Sequence, residues 1–333
     1  MSSLILAGDV GGSKTLLGLF RLHDDGLELI RGRTYAAKDF NSLTDVCADF
    51  LAGHREQIAH ACFGVPGVVI DGQAKASNLS WELEEGNLRG ALGGTPVRLI
   101  NDLSATAHGV IHLPESEVRV LQRGASGLHQ SHVAIIAPGT GLGESALIFD
   151  RGNYEAIASE GGHASFAPRD DEQIELYRYL RGRFGHVSVE RVLSGPGLVN
   201  IYRFVRDSRG NREPDWLKGR FENEDAGAVI SEVAIARRDP ECVHALEMFV
   251  DIFGAEAGNL ALKVLALGGV YLCGGIAPKI LPALTDGRFM RAFLDKGRLS
   301  DVLKRVEVRV SMNEGVGLAG AAHFAASLLS RKV

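Results

Sequence analysis

Residues 4–20 of this 333-residue chain read Leu-Ile-Leu-Ala-Gly-Asp-Val-Gly-Gly-Ser-Lys-Thr-Leu-Leu-Gly-Leu-Phe, which is an apolar run, a glycine-containing turn and a second apolar run. Residues 133–149 repeat this arrangement as Val-Ala-Ile-Ile-Ala-Pro-Gly-Thr-Gly-Leu-Gly-Glu-Ser-Ala-Leu-Ile-Phe. Each stretch predicts two strands joined by a glycine turn. Two such hairpins about 130 residues apart predict a duplicated architecture with one hairpin per domain, because this period is too long for a solenoid.

Apolar runs elsewhere alternate between strand-like and helix-like spacing. Strands are predicted at 61–65, 97–100, 270–273 and 306–310. Helices are predicted at 103–110, 171–182, 189–206, 226–237, 242–267 and 316–329. This alternation predicts an α/β class with mixed sheets. Residues 207–225 are rich in Arg, Asp, Asn and Gly, and we expect a surface excursion there.

The composition is that of a folded protein, with 45% hydrophobic and 23% charged residues. Such a chain buries enough apolar surface to offset its ordering entropy, which excludes disorder. The 36 basic and 41 acidic residues are interspersed and leave a net charge of −5, which argues against a nucleic-acid partner. The negative net charge does not exclude anionic small molecules as substrates, because a few local hydrogen-bond donors can bind a phosphate.

Cysteine spacing and hydropathy indicate the compartment. Cys47, Cys62, Cys242 and Cys273 lie far apart with no CxxC pair, so neither a disulfide framework nor a cysteine zinc site is expected. A reducing cytoplasm fits this usage. The N-terminal segment lacks the features of a signal peptide, and the most apolar stretch, 260–277, is interrupted by a lysine and a glycine pair. We therefore expect a cytoplasmic protein with no membrane partner.

Successive backbone N–H groups and a hydroxyl in the turn 9–14 can cradle a phosphate. The alternative is a hairpin turn that needs glycine for its backbone angles. The turn is not a P-loop, because Ser13 rather than glycine precedes Lys14 and a strand follows. Nor is 139–143 a dinucleotide fingerprint, because its last glycine comes one residue early. Any phosphate site here is of another kind.

Three groups of polar residues could carry chemistry. Asp102 stands between a strand and a helix, where it could be a general base or an ordinary helix N-cap. Glu160 and His163 flank two glycines, which disfavour a helix and so exclude a metal site on one helix face. One interpretation is a loop whose Glu and His bind neighbouring hydroxyls of a ligand. The alternative is that His163 is an ordinary surface histidine with no functional role. Glu190 lies near a predicted helix start, where it could simply compensate the macrodipole.

At these residues the chain resembles bacterial glucokinases of the hexokinase/actin-like (ribonuclease H-like) ATPase superfamily. The resemblance runs from residue 4 to about 325. The matching stretches are 8–13, 100–102, 139–143, 160–168, 190–200, 274–278, 295–298 and the glycine-rich start of the last helix. It implies a two-domain fold with an interdomain cleft, in which 1–110 plus 313–333 form a small α/β domain and 111–312 a large one.

The resemblance also implies residue roles in the ATP-dependent phosphorylation of glucose at its 6-hydroxyl. Asp102 would accept the proton of that hydroxyl. The other sugar hydroxyls would be held by Asn78, Asn101, Glu160, His163 and Glu190. Mg²⁺ would be positioned by Asp9, through water. The nucleotide would be bound by Gly8, Asp9, Gly11, Gly12, Ser13, Lys14, Gly139, Thr140, Gly141, Gly274 and Gly275. A homodimer is also implied.

Lys14 departs from the family, which usually has Thr-Asn where this chain has Ser13-Lys14. The lysine is similar to that of the repressor–ORF–kinase group, but the zinc motif of that group does not follow His163. Two alternatives stay open: a kinase for another hexose or with another phosphoryl donor, and a non-catalytic sugar sensor. The sensor is disfavoured because the first strand begins near residue 4, which leaves no room for a DNA-reading domain ahead of it.

Overall fold

A computed structural model describes residues 3–24, 26–75, 79, 81–125 and 130–330. The described residues of Met1–Pro114, Ala156–Ala158 and Asn313–Val333 form one compact unit, called unit 1. Those of Glu115–Glu155 and Ser159–Met312 form a second, called unit 2. Element numbers below follow the chain. Asn78, one of the predicted sugar-binding residues, lies outside the described residues.

Unit 1 is built on a mixed sheet. Its strands are β1 (Ser3–Val10), β2 (Lys14–His23), β3 (Gly26–Ala36), β4 (Ile58–Val65), β5 (Val69–Ile70), β6 (Gln73–Ala74), β7 (Leu83–Glu84) and β8 (Val97–Asn101). Its α-helices are α1 (Leu43–Phe50), α2 (Glu85–Ala91), α3 (Asp102–Val110) and α12 (Val316–Ser330). The main sheet has the order β3-β2-β1-β4-β8, and β5, β6 and β7 form a small sheet. β1 pairs antiparallel with β2 and parallel with β4, and β4 pairs parallel with β8.

Unit 2 contains a second mixed sheet and most of the helices. Its strands are β9 (Val118–Gln122), β10 (Val133–Pro138), β11 (Leu142–Asp150), β12 (Asn153–Ser159), β13 (Gly269–Leu272) and β14 (Val308–Ser311). The strand β12 belongs to this sheet, although its residues Ala156–Ala158 are grouped with unit 1. The α-helices of unit 2 are α4 (Asp171–Phe184), α5 (Gly195–Ser208), α6 (Asp215–Asn223), α7 (Ala226–Ile235), α8 (Pro240–Lys263), α9 (Leu281–Leu284), α10 (Arg288–Leu294) and α11 (Ser300–Leu303). The sheet order is β12-β11-β10-β13-β14-β9.

The two sheets share one plan, which confirms the predicted duplication. Each begins with a hairpin and an added third strand, β1-β2-β3 in unit 1 and β10-β11-β12 in unit 2. Each then continues from its first strand through two parallel strands, β4 and β8 or β13 and β14. Parallel strands need crossover connections, and in both units helices supply them. Each predicted glycine turn therefore lies at the same place in its own sheet.

One sequence prediction about unit 2 was wrong, and one helix of this unit was not predicted. The single helix predicted at 189–206 is a 3₁₀ turn, Val189–Arg191, followed by α5. The break occurs because Ser194 caps α5 by accepting from the Gly197 N–H, with Pro196 in the first turn. The segment 207–225 lies at the surface as predicted, since Leu217 is its one buried residue, but it also contains α6, which was not predicted. Trp216, Leu217 and Phe221 are the only large apolar side chains of that helix, and they were too few to indicate it.

The longest helix of unit 2, α8, is an interior helix. Fifteen of its 24 residues are buried, and between Ile252 and Gly258 it is buried on all sides. No helix in the described part of the chain has the length and apolarity needed to cross a bilayer. All four cysteines are buried free thiols, as their spacing predicts, and burial raises the pKa of each. They are therefore core residues rather than reactive groups.

Helices α3 and α12 of unit 1 approach each other to backbone contact. A Cβ atom at Gly320 would overlap the carbonyl oxygen of Ala105, and one at Gly109 would overlap that of Val316. Both glycines are therefore required by packing rather than by backbone angles. The contact is functionally relevant because α3 begins at Asp102, the predicted general base.

We expect Gly320→Ala to destabilise the protein by about 1–3 kcal/mol, because the added methyl forces the two helices apart. The matched control is Gly90→Ala in α2, where a Cβ atom meets nothing within 4 Å. That change should stabilise by about 0.5–1 kcal/mol, the usual gain for alanine over glycine in a helix. Urea unfolding of both variants measures the difference. Equal effects would contradict the close packing of α3 and α12.

Candidate active site

The carboxyl ends of three parallel strands place Asp9 and Asp102 at one edge of the unit 1 sheet. Asp9 of β1 is in register with Gly64 of β4, and Gly64 is in register with Ile100 of β8. Asp102 follows β8 by one residue. Since neighbouring strands lie about 4.8 Å apart, the strands that lead to the two aspartates, β1 and β8, lie about 10 Å apart across the sheet. Both lie where open α/β sheets bind ligands.

Gly64 allows the start of α3 to lie against β4. A Cβ atom at Gly64 would lie 2.9 Å from the Ala105 Cβ atom and 3.6 Å from the Asp102 Cα atom. Any larger residue would push the helix start, and Asp102 with it, away from the sheet edge. The position of the predicted general base thus depends on a glycine that sequence reasoning did not single out.

The N-cap of α3 is Asn101, not Asp102. The Asn101 Oδ1 atom accepts from the backbone N–H groups of Leu103 at 3.0 Å and Ser104 at 3.2 Å. Asp102 is the first residue of the helix, and its Oδ1 atom accepts from the Leu103 N–H at 2.8 Å. The alternative reading of Asp102 as the cap was therefore wrong. Because Asn101 does the capping, the Asp102 carboxylate is not needed for it.

Asn101 also ties the strand end to the preceding loop. Its Nδ2 atom donates to the Gly67 carbonyl oxygen at 3.1 Å. Gly67 has a φ of +86°, a region that favours glycine, and a Cβ atom there would lie 2.8 Å from the Lys75 carbonyl oxygen. The amide has two N–H donors, and this bond uses one of them. Asn101 therefore fixes the local backbone while keeping one donor for a ligand.

Asp9 lies at the N-terminus of α12. A Cβ atom at Gly317, the second residue of that helix, would lie 3.0 Å from the Asp9 Oδ2 atom. Helix N-termini attract negative charge, which favours a carboxylate or a phosphate here. Burial nevertheless raises the pKa of the Asp9 carboxyl, and the Lys14 ammonium opposes part of that rise. The positive charge near Asp9 is thus too small to offset the effect of burial on its pKa.

The first glycine turn is closed by backbone bonds and open to solvent. The Gly11 N–H donates to the Lys14 carbonyl oxygen, and the Ala37 N–H donates to that of Ser13, both at 2.9 Å. Gly12, Ser13 and Lys14 are exposed. The Ser13 hydroxyl and the exposed N–H groups can therefore reach a phosphate. Gly8 differs, because its Cα atom packs against interior side chains.

The second glycine turn is held in the same way within unit 2. The Gly139 N–H donates to the Gly141 carbonyl oxygen, and the Gly195 N–H donates to that of Gly139, both at 2.8 Å. Thr140 at the tip is exposed. Gly274 lies at its base with a φ of +77°, and a Cβ atom there would lie 2.5 Å from the Pro138 carbonyl oxygen. The predicted adenosine-lining glycine thus adjoins the predicted phosphate turn.

Glu190 joins this turn to the Glu160–His163 segment. Its Oε2 atom accepts from the Leu142 N–H at 2.9 Å, and a Cβ atom at Gly141 would lie 2.6 Å from it. Its Oε1 atom lies 3.9 Å from the His163 Nδ1 atom. Because Glu190 belongs to the 3₁₀ turn ahead of α5, its reading as macrodipole compensation was wrong. The carboxylate braces the turn and faces the histidine.

Glu160 and His163 lie at either end of a 3₁₀ turn, Gly161–His163, and both are exposed. A Cβ atom at Gly161 would overlap the Glu144 Oε2 atom, and one at Gly162 would overlap the Leu142 carbonyl oxygen. The two glycines therefore let this loop lie directly on the β10–β11 hairpin. The His163 side chain is 63% exposed and can meet a ligand.

The structure thus assembles the predicted residues into one set per unit. Unit 1 groups Asp9, the first turn, Asn101 and Asp102; unit 2 groups the second turn, Glu160, His163, Glu190 and Gly274. Sequence reasoning missed three supporting residues: Gly64, Gly317 and Glu144. The signal for Glu144 was present, as an acid within the apolar run of β11.

Two units with the same sheet plan, each with a glycine turn at its first hairpin, define the actin-like class of two-domain α/β proteins. The family model described as Glucokinase matches residues 6–328. A curated glucokinase of Nostoc punctiforme is 40% identical over 341 residues, covering 98% of this chain and 100% of its own length. A crystal structure of glucokinase from an Antarctic psychrotroph has a TM-score of 0.85 at 30% identity, covering 98% of this chain and 99% of that one. The chain belongs to the glucokinase family.

We expect Asp9→Asn to raise the melting temperature at neutral pH. When the pKa of a carboxyl is higher in the folded than in the unfolded state, the protein loses stability as pH rises from the unfolded-state pKa to the folded-state pKa. Burial raises the folded-state pKa of Asp9, so its ionised form destabilises the folded protein above that range. The amide removes this penalty, and its gain should shrink in acid. Asp150→Asn, at an exposed position, is the control for loss of one negative charge. Calorimetry at about pH 7 and in acid compares them. A lower melting temperature for Asp9→Asn at neutral pH would contradict the assignment.

Proposed function

We propose that this protein transfers the γ-phosphoryl group of ATP to the 6-hydroxyl of glucose, giving glucose 6-phosphate, the form in which glucose enters glycolysis. The observation that carries the proposal is the row of Asp9, Gly64 and Asp102 at the carboxyl edge of the unit 1 sheet, with a solvent-open glycine turn beside it. Membership of the glucokinase family supports it.

Asp102 is the general base of this proposal. A carboxylate can accept the proton of a hydroxyl as the oxygen attacks phosphorus, provided that it lies within hydrogen-bond reach. Asn101 supplies the N-cap of α3, and the Leu103 N–H donates to the Asp102 Oδ1 atom, which orients the carboxylate at the start of the helix. Gly64 sets its distance from the sheet.

The remaining sugar hydroxyls are assigned to a set of acceptors and donors. Glu160 and Glu190 offer carboxylate oxygens, His163 offers a ring nitrogen, and Asn101 offers its second amide N–H. Asn78 stays a proposal from the family resemblance alone. Glu190 couples sugar and phosphate binding, because the same carboxylate braces the turn that carries Thr140 and faces His163.

The nucleotide is assigned to the glycine turns. Gly11, Gly12, Ser13 and Lys14 of the first turn, and Gly139, Thr140 and Gly141 of the second, offer N–H groups, hydroxyls and one ammonium to the phosphates. Gly274 and Gly275 line the adenosine, where the positive φ of Gly274 and the open space at Gly275 leave room for a close approach. Gly8 contributes through packing of the strand that leads into the first turn.

Mg²⁺ fits the donor set at Asp9. No group of three or more His, Cys, Asp or Glu side chains within the described ranges could hold a metal ion. Mg²⁺ suits such a sparse site, because it keeps several waters and binds through one or two carboxylates plus substrate phosphates. Asp9, whose pKa is raised by burial, would gain from a nearby cation. When bound, the ion neutralises charge on the triphosphate.

Phosphoryl transfer requires little covalent chemistry from a protein, so the residues of this chain act by positioning the substrates and by neutralising charge. The turns hold the phosphates, the Glu160–His163 segment orients the sugar, and Asp102 takes the proton. The buried thiols of all four cysteines suit a reducing cytoplasm, and we propose that compartment. We also propose a homodimer, on the family resemblance.

Asp102→Asn should lower kcat by about 100- to 10,000-fold, because only proton acceptance is removed. Glucose binding and the melting temperature should stay near wild type. A coupled assay with Mg-ATP over glucose, mannose, fructose, glucosamine and N-acetylglucosamine measures the turnover, and calorimetric titration measures glucose binding.

Near-native turnover of Asp102→Asn would refute the base. Wild-type turnover on another hexose in the panel would keep the mechanism and change the substrate. Wild-type turnover only with polyphosphate or ADP would change the donor. If the wild type binds sugar but shows no turnover with any phosphoryl donor, the result would favour the sugar sensor.

The sugar and phosphate assignments can be tested against each other. Glu160→Gln and His163→Ala should each raise the glucose KM by about 10- to 100-fold, the effect of losing a hydrogen bond to a charged or polar ligand group, with little change in the ATP KM. Lys14→Asn should raise the ATP KM and leave the glucose KM unchanged. Each variant is the control for the other, and a reversed pattern would contradict both assignments.

A further inference from the structure

Glu144 is a buried acid that the proposed reaction does not use. It lies in β11, its residue is 1% exposed, and its Oε1 atom has no hydrogen-bond partner among the described residues. An ionised carboxylate without donors is expensive to bury, so a group in this environment favours its neutral form. The residue therefore needs an explanation other than surface solubility.

The other oxygen of Glu144 supports the sugar loop, meaning residues 160–163. A Cβ atom at Gly161 would overlap the Glu144 Oε2 atom, so the loop backbone rests directly on this carboxyl. On its other side the loop is tied by the Gly161 N–H, which donates to the Ser159 hydroxyl at 2.9 Å. Glu160 and His163 flank this point of contact. The approach of the loop to β11 is thus set by the Glu144 side chain at Gly161 and by the Leu142 carbonyl oxygen at Gly162.

A second buried acid faces Glu144 from α8. Glu256 is 7% exposed, and its carboxylate accepts from the Lys263 Nζ atom at 3.1 Å and from the Asn259 Nδ2 atom at 2.9 Å. The Lys296 ammonium faces Glu256 from the segment after α10, and burial lowers the pKa of that lysine. On the loop side the charged or titratable groups are Glu160 and His163. Glu256 is well paired, whereas Glu144 is not.

Burial raises the pKa of Glu144 to about 7, with a further rise from the Glu256 charge and a smaller opposing effect of Lys263. A carboxyl with a raised folded-state pKa stabilises its surroundings less as pH rises through that value. Below about pH 7 the carboxyl is neutral and tolerates the Gly161 backbone and Glu256 at close range. Above about pH 7 the Glu144 carboxylate is repelled by Glu256 and is more stable in water, so its ionisation destabilises the packed position of the loop.

We propose that Glu144 is a positioning residue for sugar binding, which in its neutral form holds the sugar loop in place and on ionisation releases it, so that sugar affinity falls as pH rises through neutrality. This inference rests on the proposed function of the loop.

The test is the pH dependence of the glucose KM and the ATP KM for wild type, Glu144→Gln and Glu144→Ala. If the ionised form does not bind sugar, the wild-type glucose KM rises by up to about tenfold between pH 6 and pH 8, in proportion to the shrinking neutral fraction. Glutamine mimics the neutral carboxyl, so its glucose KM should stay low and flat. Alanine should give a high glucose KM at every pH. The ATP KM should follow none of these changes.

Two further variants distinguish positioning from mere packing. Glu256→Gln removes a charge that raises the pKa of Glu144, so the inflection of the glucose KM should move to lower pH. Lys263→Met removes a charge that lowers this pKa, so the inflection should move to higher pH. An inflection that persists in Glu144→Gln would belong to another group and would overturn the inference.

Failure of the inference and failure of the proposed function give different results. Wild type that phosphorylates no sugar refutes the proposed function. Wild type that is active with a flat glucose KM refutes the inference alone. Amide hydrogen exchange of residues 160–164 without ligand adds a readout that needs no activity. Exchange at pH 7 should be faster in Glu144→Ala than in Glu144→Gln, and equal rates would overturn the support of the loop by Glu144.

Discussion

Close packing at three glycines, where a Cβ atom would find no room, is the constraint on which unit 1 depends. Gly64 lets the start of α3 lie on β4, and Gly109 and Gly320 let α3 and α12 touch. These two helices begin at the sheet edge, one with Asp102 and the other beside Asp9. A single methyl at any of the glycines would move a helix start by a fraction of an ångström or more. Such a shift matters because phosphoryl transfer relies on position.

Unit 2 uses the same sheet plan but a different support. Its glycine turn and sugar loop are braced by carboxyl groups, Glu190 from the 3₁₀ turn before α5 and Glu144 from β11. The two units therefore share one sheet plan but differ in what supports their turns: close packing at glycines in unit 1, and carboxyl side chains in unit 2.

Sequence patterns could predict what is local. The hairpins, the strand before Asp102 and the glycine turns follow from apolar runs and turn residues, and the α/β class was confirmed. The structural role of Asn101 as the N-cap of α3 could not be predicted, because both Asn101 and Asp102 are suitable capping residues. The structural role of Glu190 could not be predicted either, because the N–H group that it binds is 48 residues away in the sequence. Glu144 interrupts an apolar run visibly, but the acid that faces it lies on α8. Burial and long-range partners supply what periodicity cannot.

Burial raises the pKa of two carboxyl groups, Asp9 in unit 1 and Glu144 in unit 2. At Asp9, burial raises the pKa and so favours a proton over a cation, which means that cation binding gains as pH rises. At Glu144, burial and Glu256 raise the pKa, and loss of the proton works against the sugar loop as pH rises. Under the proposed roles, cation binding at Asp9 and sugar binding at the loop respond to pH in opposite directions, because burial favours the protonated carboxyl at both residues.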